Sequence, residues 1–241
     1  MTMPNPVRIR AIVALFCALL CLAGTRSQAE EPILSNRAIF TTAPTIELID
    51  PLAIALGAMG RAEPMVYTYE DVVKLAGHSC PAVSGGFKLV QIALAELYPD
   101  TTPVRGDIEV KVLGGVEHKV NGPISQIVTL VTGAAPETGF AGLGGGKFNR
   151  KNLLVFAADE MPPTDCIFSA VFERGDTGRK VRVTYSNHML ASKPEMGALM
   201  PKAVSDTATD EELARFGDLW HERIEIILLD PPEGMFVITA E

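Results

Sequence analysis

The chain has 241 residues, 47% of them hydrophobic and 21% charged, and its formal net charge at pH 7 is −8. This composition is typical of a globular protein with a substantial core, and four cysteines are too few for a disulfide-rich scaffold. The acidic balance and the lack of a basic cluster exclude nucleic acid and anionic membrane surfaces as expected partners.

The N-terminal segment has the pattern of a signal peptide. Arg8 and Arg10 precede an apolar run over residues 11–23, and Ser27-Gln28-Ala29 offers the small residues that a signal peptidase requires. The run is shorter than the about 20 apolar residues of a transmembrane helix. We therefore expect cleavage near Ala29 and a periplasmic or secreted protein without membrane contact, and an uncleaved N-terminal anchor is the alternative. Cleavage removes three of 21 basic residues and none of 29 acidic ones, so the net charge becomes −11.

Residues 30–66 are interpreted as an N-terminal extension, and residues 67–241 as one domain. The stretch 30–45 has no clear period and is expected to wrap the surface. Asp50-Pro51 then has the sequence of a helix start, because aspartate is a favoured N-cap and proline fits the first helical position.

The next two helices meet at a short junction. Thr68 and Asp71 have the spacing of a capping box, which predicts a helix that ends at Gly77. Pro81 then starts a long helix whose apolar stripe continues to Leu97. His78 and Cys80 therefore lie at a helix–helix junction, with Cys80 beside an N-terminus whose free N–H groups favour a thiolate.

The rest of the chain mixes strands and helices without a strict βαβ rhythm. The predicted strands cover 108–112, 153–157 and 235–239, and a hairpin joins 166–172 with 181–185. A helix is predicted over 124–131, for which a strand is the alternative. A long helix follows Thr209, with Trp220 on its buried side. The order of these elements predicts an α+β fold, in which a mixed or antiparallel sheet packs against helices in a single domain.

The segment Gly77-His78-Ser79-Cys80-Pro81, followed by a long helix, resembles the opening motif of the formylmethanofuran dehydrogenase E-subunit family. Members of that family typically have Gly-His-x-Cys-Pro-Gly at this place, and Ala82 replaces the last glycine here. A second block is similar in outline, with Gln126 in an apolar helix followed by Thr132-Gly133. The resemblance covers roughly residues 67–185.

This resemblance implies an α+β core with a divalent metal ion, expected to be zinc, near His78 and Cys80. In the family a cysteine commonly follows the Thr-Gly of the second block, whereas Ala134 occupies that position here, and no cysteine occurs between Pro81 and Asp165. The resemblance does not imply formylmethanofuran chemistry, because that chemistry is intracellular.

The residues themselves also indicate a metal site. His78 and Cys80 offer a nitrogen and a thiolate sulfur, both of which bind zinc, but two ligands do not make a stable site. His118 is the preferred third ligand, because it follows a predicted strand and a Gly-Gly break. Three other residues stay open as alternatives for that position, namely Glu117, Cys166 and His188.

Three functions remain open. In the first, a metal on His78, Cys80 and His118 has an open position that binds or transforms a small molecule. In the second, Cys80 is the nucleophile of a metal-free thiol enzyme, with His78 or His118 as the base. The third is a non-catalytic accessory or binding protein, in which a metal or a Cys80–Cys166 disulfide is structural. A homo-oligomer is compatible with each of them.

A glycine-rich loop over residues 139–152 is the remaining notable segment. It lacks the Gly-Lys-Ser/Thr ending of a nucleotide-binding loop. Lys147, Arg150 and Lys151 are available there to contact an anionic substrate, so we expect a mobile segment near the opening of the site.

Overall fold

The structure is a computed structural model that describes residues 37–241, which belong to one compact unit. The expected signal peptide lies outside the described residues. Within residues 37–241 no helix combines the length and the apolar character needed to cross a bilayer.

The described residues contain seven helices and seven strands. The helices are α1 (Ile39–Thr42), α2 (Pro51–Ala55), α3 (Tyr69–Ala76), α4 (Pro81–Leu97), α5 (Asn121–Thr132), α6 (Pro194–Val204) and α7 (Asp210–Leu229). The strands are β1 (Ile46–Leu48), β2 (Met65–Tyr67), β3 (Ile108–Leu113), β4 (Leu154–Ala157), β5 (Phe168–Arg174), β6 (Lys180–Tyr185) and β7 (Phe236–Ala240).

The main sheet has five strands in the order β4-β3-β5-β6-β7. The β3–β4 pair is parallel, with Val110 opposite Leu154, and the other neighbours are antiparallel. Strands β1 and β2 form a separate antiparallel pair. The sheet packs against helices, which confirms the predicted α+β fold with a mixed sheet.

The helix ends follow from local side-chain chemistry. Asp50 accepts hydrogen bonds from the N–H groups of Leu52 and Ala53 at the start of α2. Thr68 and Asp71 form the predicted capping box of α3, and Thr209 forms a second one at the start of α7. Each of these caps satisfies backbone donors that have no partner within the helix.

Helix α4 is the centre of the core. It packs against β6, α5 and α7, and most of its length is buried. Two adjacent glycines permit this close packing: a Cβ on Gly85 would lie 2.0 Å from the Tyr185 ring, and one on Gly86 would lie 3.1 Å from Ile124. The glycines in this helix are therefore required by its neighbours in space.

Two expectations differ from the structure. Ile39 and Phe40 are buried in the main core, although the stretch up to residue 45 was expected to wrap the surface. The four residues of α1 are too few to show a helical period. Trp220 is only half-buried, because the buried stripe of α7 runs through Leu219 and Ile224.

Candidate functional site

The predicted His-x-Cys motif forms the turn between α3 and α4. Gly77 ends α3 in the left-handed conformation with φ +74°, and its N–H donates to the carbonyl oxygen of Val73. Cys80 is the N-cap residue of α4 in an extended conformation, and its side chain makes no capping hydrogen bond. Pro81 is the first helical residue, as predicted. The turn therefore leaves the Cys80 sulfur uncommitted to the helix end.

His78 and Cys80 line the same cavity, which has a volume of about 350 Å³. His78 is exposed and Cys80 is half-buried. The other walls are mostly apolar and come from α3, α4, α5 and the residue before α5, including Leu75, Val83, Val120, Pro123 and Ile127. The two predicted ligands thus share one small cavity with few competing polar groups.

The His78 ring is oriented by the chain itself. Its Nδ1 lies 3.0 Å from the carbonyl oxygen of Ala76, an acceptor that pairs with the Nδ1–H tautomer. In that tautomer the lone pair on Nε2 is available to a metal, and a backbone carbonyl is a usual outer partner of a metal-bound histidine. A nitrogen and a sulfur donor on one cavity suit zinc.

Three aromatic side chains form hydrogen bonds with the motif. None of these contacts was predicted from the sequence. The Tyr69 hydroxyl lies 2.7 Å from Ser79 Oγ, and Trp220 Nε1 donates to the Ser79 carbonyl oxygen at 2.8 Å. The Tyr185 hydroxyl donates to the carbonyl oxygen of Pro81 at 2.8 Å. The adjacent glycines at the start of α4 were a usable signal, because glycine inside a helix often indicates a close neighbour.

The environment keeps the two tyrosines neutral. Burial raises the pKa of Tyr69 and of Tyr185, and the neighbouring Cys80 sulfur raises both further. Their hydroxyl groups therefore remain protonated and support the backbone on both sides of Cys80.

None of the other candidate ligands lines this cavity. His118 is half-buried before α5, two residues ahead of Val120, which does line the cavity. Glu117 and His188 are exposed. Cys166 is 2% exposed, and burial raises the pKa of its thiol, while Lys119 opposes that shift.

Cys80 and Cys166 are both free thiols. Within residues 37–241, no group of three or more His, Cys, Asp and Glu side chains is arranged to hold a metal ion. The structure thus brings together two of the predicted ligands, and the assignment of His118 as the third stays a prediction.

The fold and the site define a class of protein: an α+β domain with a His-x-Cys-Pro motif between two helices, beside a largely apolar cavity. Residues 75–237 match the model of the family described as FmdE, molybdenum formylmethanofuran dehydrogenase operon, and the chain belongs to this family. The predicted family resemblance is thereby confirmed, and membership is consistent with a metal-binding protein. No curated protein matches the chain.

Proposed function

We propose that the protein binds a divalent metal ion, zinc, through His78 and Cys80, and that it binds or transforms a small molecule at the remaining coordination positions. The observation that carries this proposal is the shared cavity of the two side chains. A bound zinc ion supplies a Lewis-acidic centre with open positions.

The residues of this chain prepare that centre in two ways. The Ala76 carbonyl holds the His78 ring, and the aromatic contacts to Ser79 and Pro81 fix the backbone that carries Cys80. The apolar walls of the cavity limit water, which strengthens electrostatic interactions inside it.

We further propose His118 as the third ligand. His118 precedes Val120, which lines the cavity, by two residues, and its imidazole is the type of nitrogen donor that zinc prefers. Cys166 is a weaker candidate, because its burial disfavours the thiolate that a metal requires. Export through an N-terminal signal peptide also belongs to this proposal, supported by the Arg8/Arg10 and Ser27-Gln28-Ala29 pattern.

Metal analysis of purified variants tests the site. We expect one equivalent of zinc in the natural protein and none in Cys80→Ser protein, because a hydroxyl is a poor substitute for a thiolate. His118→Ala should weaken zinc binding by about 10-fold or more, the scale of losses seen for outer partners of a metal.

His221→Ala is the matched control on a histidine that lies elsewhere, on α7. It should leave zinc binding unchanged. If Cys166→Ser loses zinc while His118→Ala retains it at full affinity, Cys166 is the third ligand and the assignment of His118 is wrong.

A metal-free thiol enzyme is the second candidate. It is favoured by the position of Cys80 as the N-cap of a 17-residue helix, without a side-chain capping bond. Alkylation of Cys80 in the presence and absence of a chelator separates the two functions. Under the metal hypothesis the chelator increases the rate of alkylation, whereas under the thiol-enzyme hypothesis it leaves that rate unchanged.

A further inference from the structure

A larger cavity adjoins the one at His78 and Cys80. Its volume is about 690 Å³, and it shares Leu75 and Gln126 with the smaller cavity. We call it the groove. Its apolar walls come from α2, α3, α5 and the segment after α5, and include Leu52, Leu75, Leu130, Ala135, Pro136 and Phe140. Cavities of roughly 300–1,000 Å³ with such walls are typical of small-molecule sites.

Two arginines also line the groove, Arg105 and Arg150. Both pair with the single carboxylate of Asp50: Arg105 Nη1 donates to it at 2.9 Å, and Arg150 Nη2 at 2.8 Å. Two guanidinium groups and one carboxylate leave a net positive charge at this place. An anionic group therefore has electrostatic complementarity with this part of the groove.

The two arginines differ in how their N–H groups are satisfied. Arg105 also donates to the carbonyl oxygens of Val131 and Leu130. Arg150 is 7% exposed, and its Nε is buried with no hydrogen-bond partner among residues 37–241. Because that Nε atom has almost no accessible surface, an anion in the groove has to meet the exposed edges of the guanidinium groups. The side chain of Arg105 is the more accessible of the two, at 20% against 8% for Arg150.

We propose that the groove binds an elongated, largely aliphatic molecule with one terminal carboxylate. The carboxylate contacts the Arg105–Arg150 pair, and the aliphatic part packs along the apolar walls toward Gln126, where the groove meets the cavity of His78 and Cys80. The proposal gives the chemical class of the small molecule in the proposed function, and it rests on that proposed function.

Calorimetric titration of the full chain with three probes of equal chain length tests the ligand class. The probes are decanoate, decanol and decyltrimethylammonium. We expect saturable binding of decanoate with a Kd at least about 10-fold lower than that of decanol, because a charge-assisted hydrogen bond is added. The cationic probe should not bind. Equal affinity for decanoate and decanol, or no saturable binding of decanoate, would overturn the proposal.

A pair of threonine variants tests the location. Thr138 is exposed and lines the groove, whereas Thr177 is exposed in the β5–β6 turn. Thr138→Glu should weaken decanoate binding severalfold through charge repulsion, and Thr177→Glu should not. Loss of this difference would mean that decanoate binds elsewhere.

Cys80→Ser protein separates this inference from the metal proposal. It should bind decanoate with unchanged affinity, whatever its zinc content. If decanoate binds the natural protein and fails to bind Cys80→Ser protein, the carboxylate is held at the metal site and the arginine assignment is wrong.

Discussion

Gly85 sets the distance between α4 and the sheet. The Tyr185 ring occupies the space where a side chain at this position would begin, and the Tyr185 hydroxyl reaches the carbonyl oxygen of Pro81 in the same helix. The same tyrosine thus fills a core position and supports the turn that carries Cys80.

Gly85→Ala should therefore lower the free energy of unfolding by about 1–3 kcal/mol, because the ring and the helix have to move apart. The matched control is Gly197→Ala in α6, where an added Cβ meets no atom within 4 Å. That change should raise stability by about 0.5–1 kcal/mol, since alanine is the better helix former. Urea denaturation measures both values. Equal stability of Gly85→Ala and natural protein would refute the packing argument.

The proposed ligands were predictable at the residue scale only in part. His78 and Cys80 are two positions apart, so helix-end signals on both sides were enough to place them at one junction. Trp220 lies 141 positions from Ser79, and no local pattern reports a contact over that distance. A third ligand depends on the same kind of long-range proximity, which spacing alone does not give.

Asp50 connects three elements. Its carboxylate caps α2, accepts from Arg105 before β3, and accepts from Arg150 before β4. Burial by itself raises the pKa of the Asp50 carboxyl, but the Arg105 hydrogen bond, the Arg150 charge and the Ala53 N–H together hold it below its usual value.

Asp50→Asn should lower the free energy of unfolding by about 3 kcal/mol at neutral pH, because two guanidinium groups lose their shared partner. The folded-state pKa lies below the unfolded value, so the contribution of Asp50 is present above about pH 4 and is lost as the pH falls through the folded-state pKa. Denaturation at several pH values should show a smaller acid-induced loss in Asp50→Asn protein. Exposed Asp159 supplies the control, and Asp159→Asn should reproduce the natural pH profile.

Helices with strong end signals were predictable, and short or non-local elements were not. Thr68 with Asp71, Pro81 and Thr209 each defined a helix start from neighbouring residues. For the segment 124–131 the sequence left helix and strand open, and the structure shows helix α5. Its buried residues follow helical spacing although many of them are β-branched. Strands β1 and β2 have three residues each, too few to show a period. The parallel β3–β4 pair places Val110 opposite Leu154, a contact between distant positions that no local pattern reports.

At the scale of the whole molecule, the core extends beyond the matched family region. Ile39, Ile46 and Leu48 belong to the same hydrophobic cluster as α4 and the main sheet. Ile49 forms an isolated parallel bridge with Val104, which ties this region to the chain just before β3. Residues 39–49 are therefore part of the folded unit.

A fragment of residues 67–241 should accordingly fail to fold cooperatively. Each of the buried aliphatic side chains that it lacks contributes about 1.5–3 kcal/mol, and a domain is stable by about 5–15 kcal/mol in total. Thermal melting followed by circular dichroism compares this fragment with residues 37–241. A cooperative transition of the shorter fragment at the same temperature would show that the earlier segment is dispensable.

The contact between Trp220 and the turn that carries His78 and Cys80 gives the protein an internal optical reporter. The chain has one tryptophan, and its indole N–H is bonded to the carbonyl of Ser79, which lies between His78 and Cys80. Indole emission depends on the hydrogen bonding of this group. An ion or a small molecule that moves this turn therefore alters the hydrogen bond of the only indole in the chain. The fluorescence of Trp220 can then report binding at the turn without an attached label.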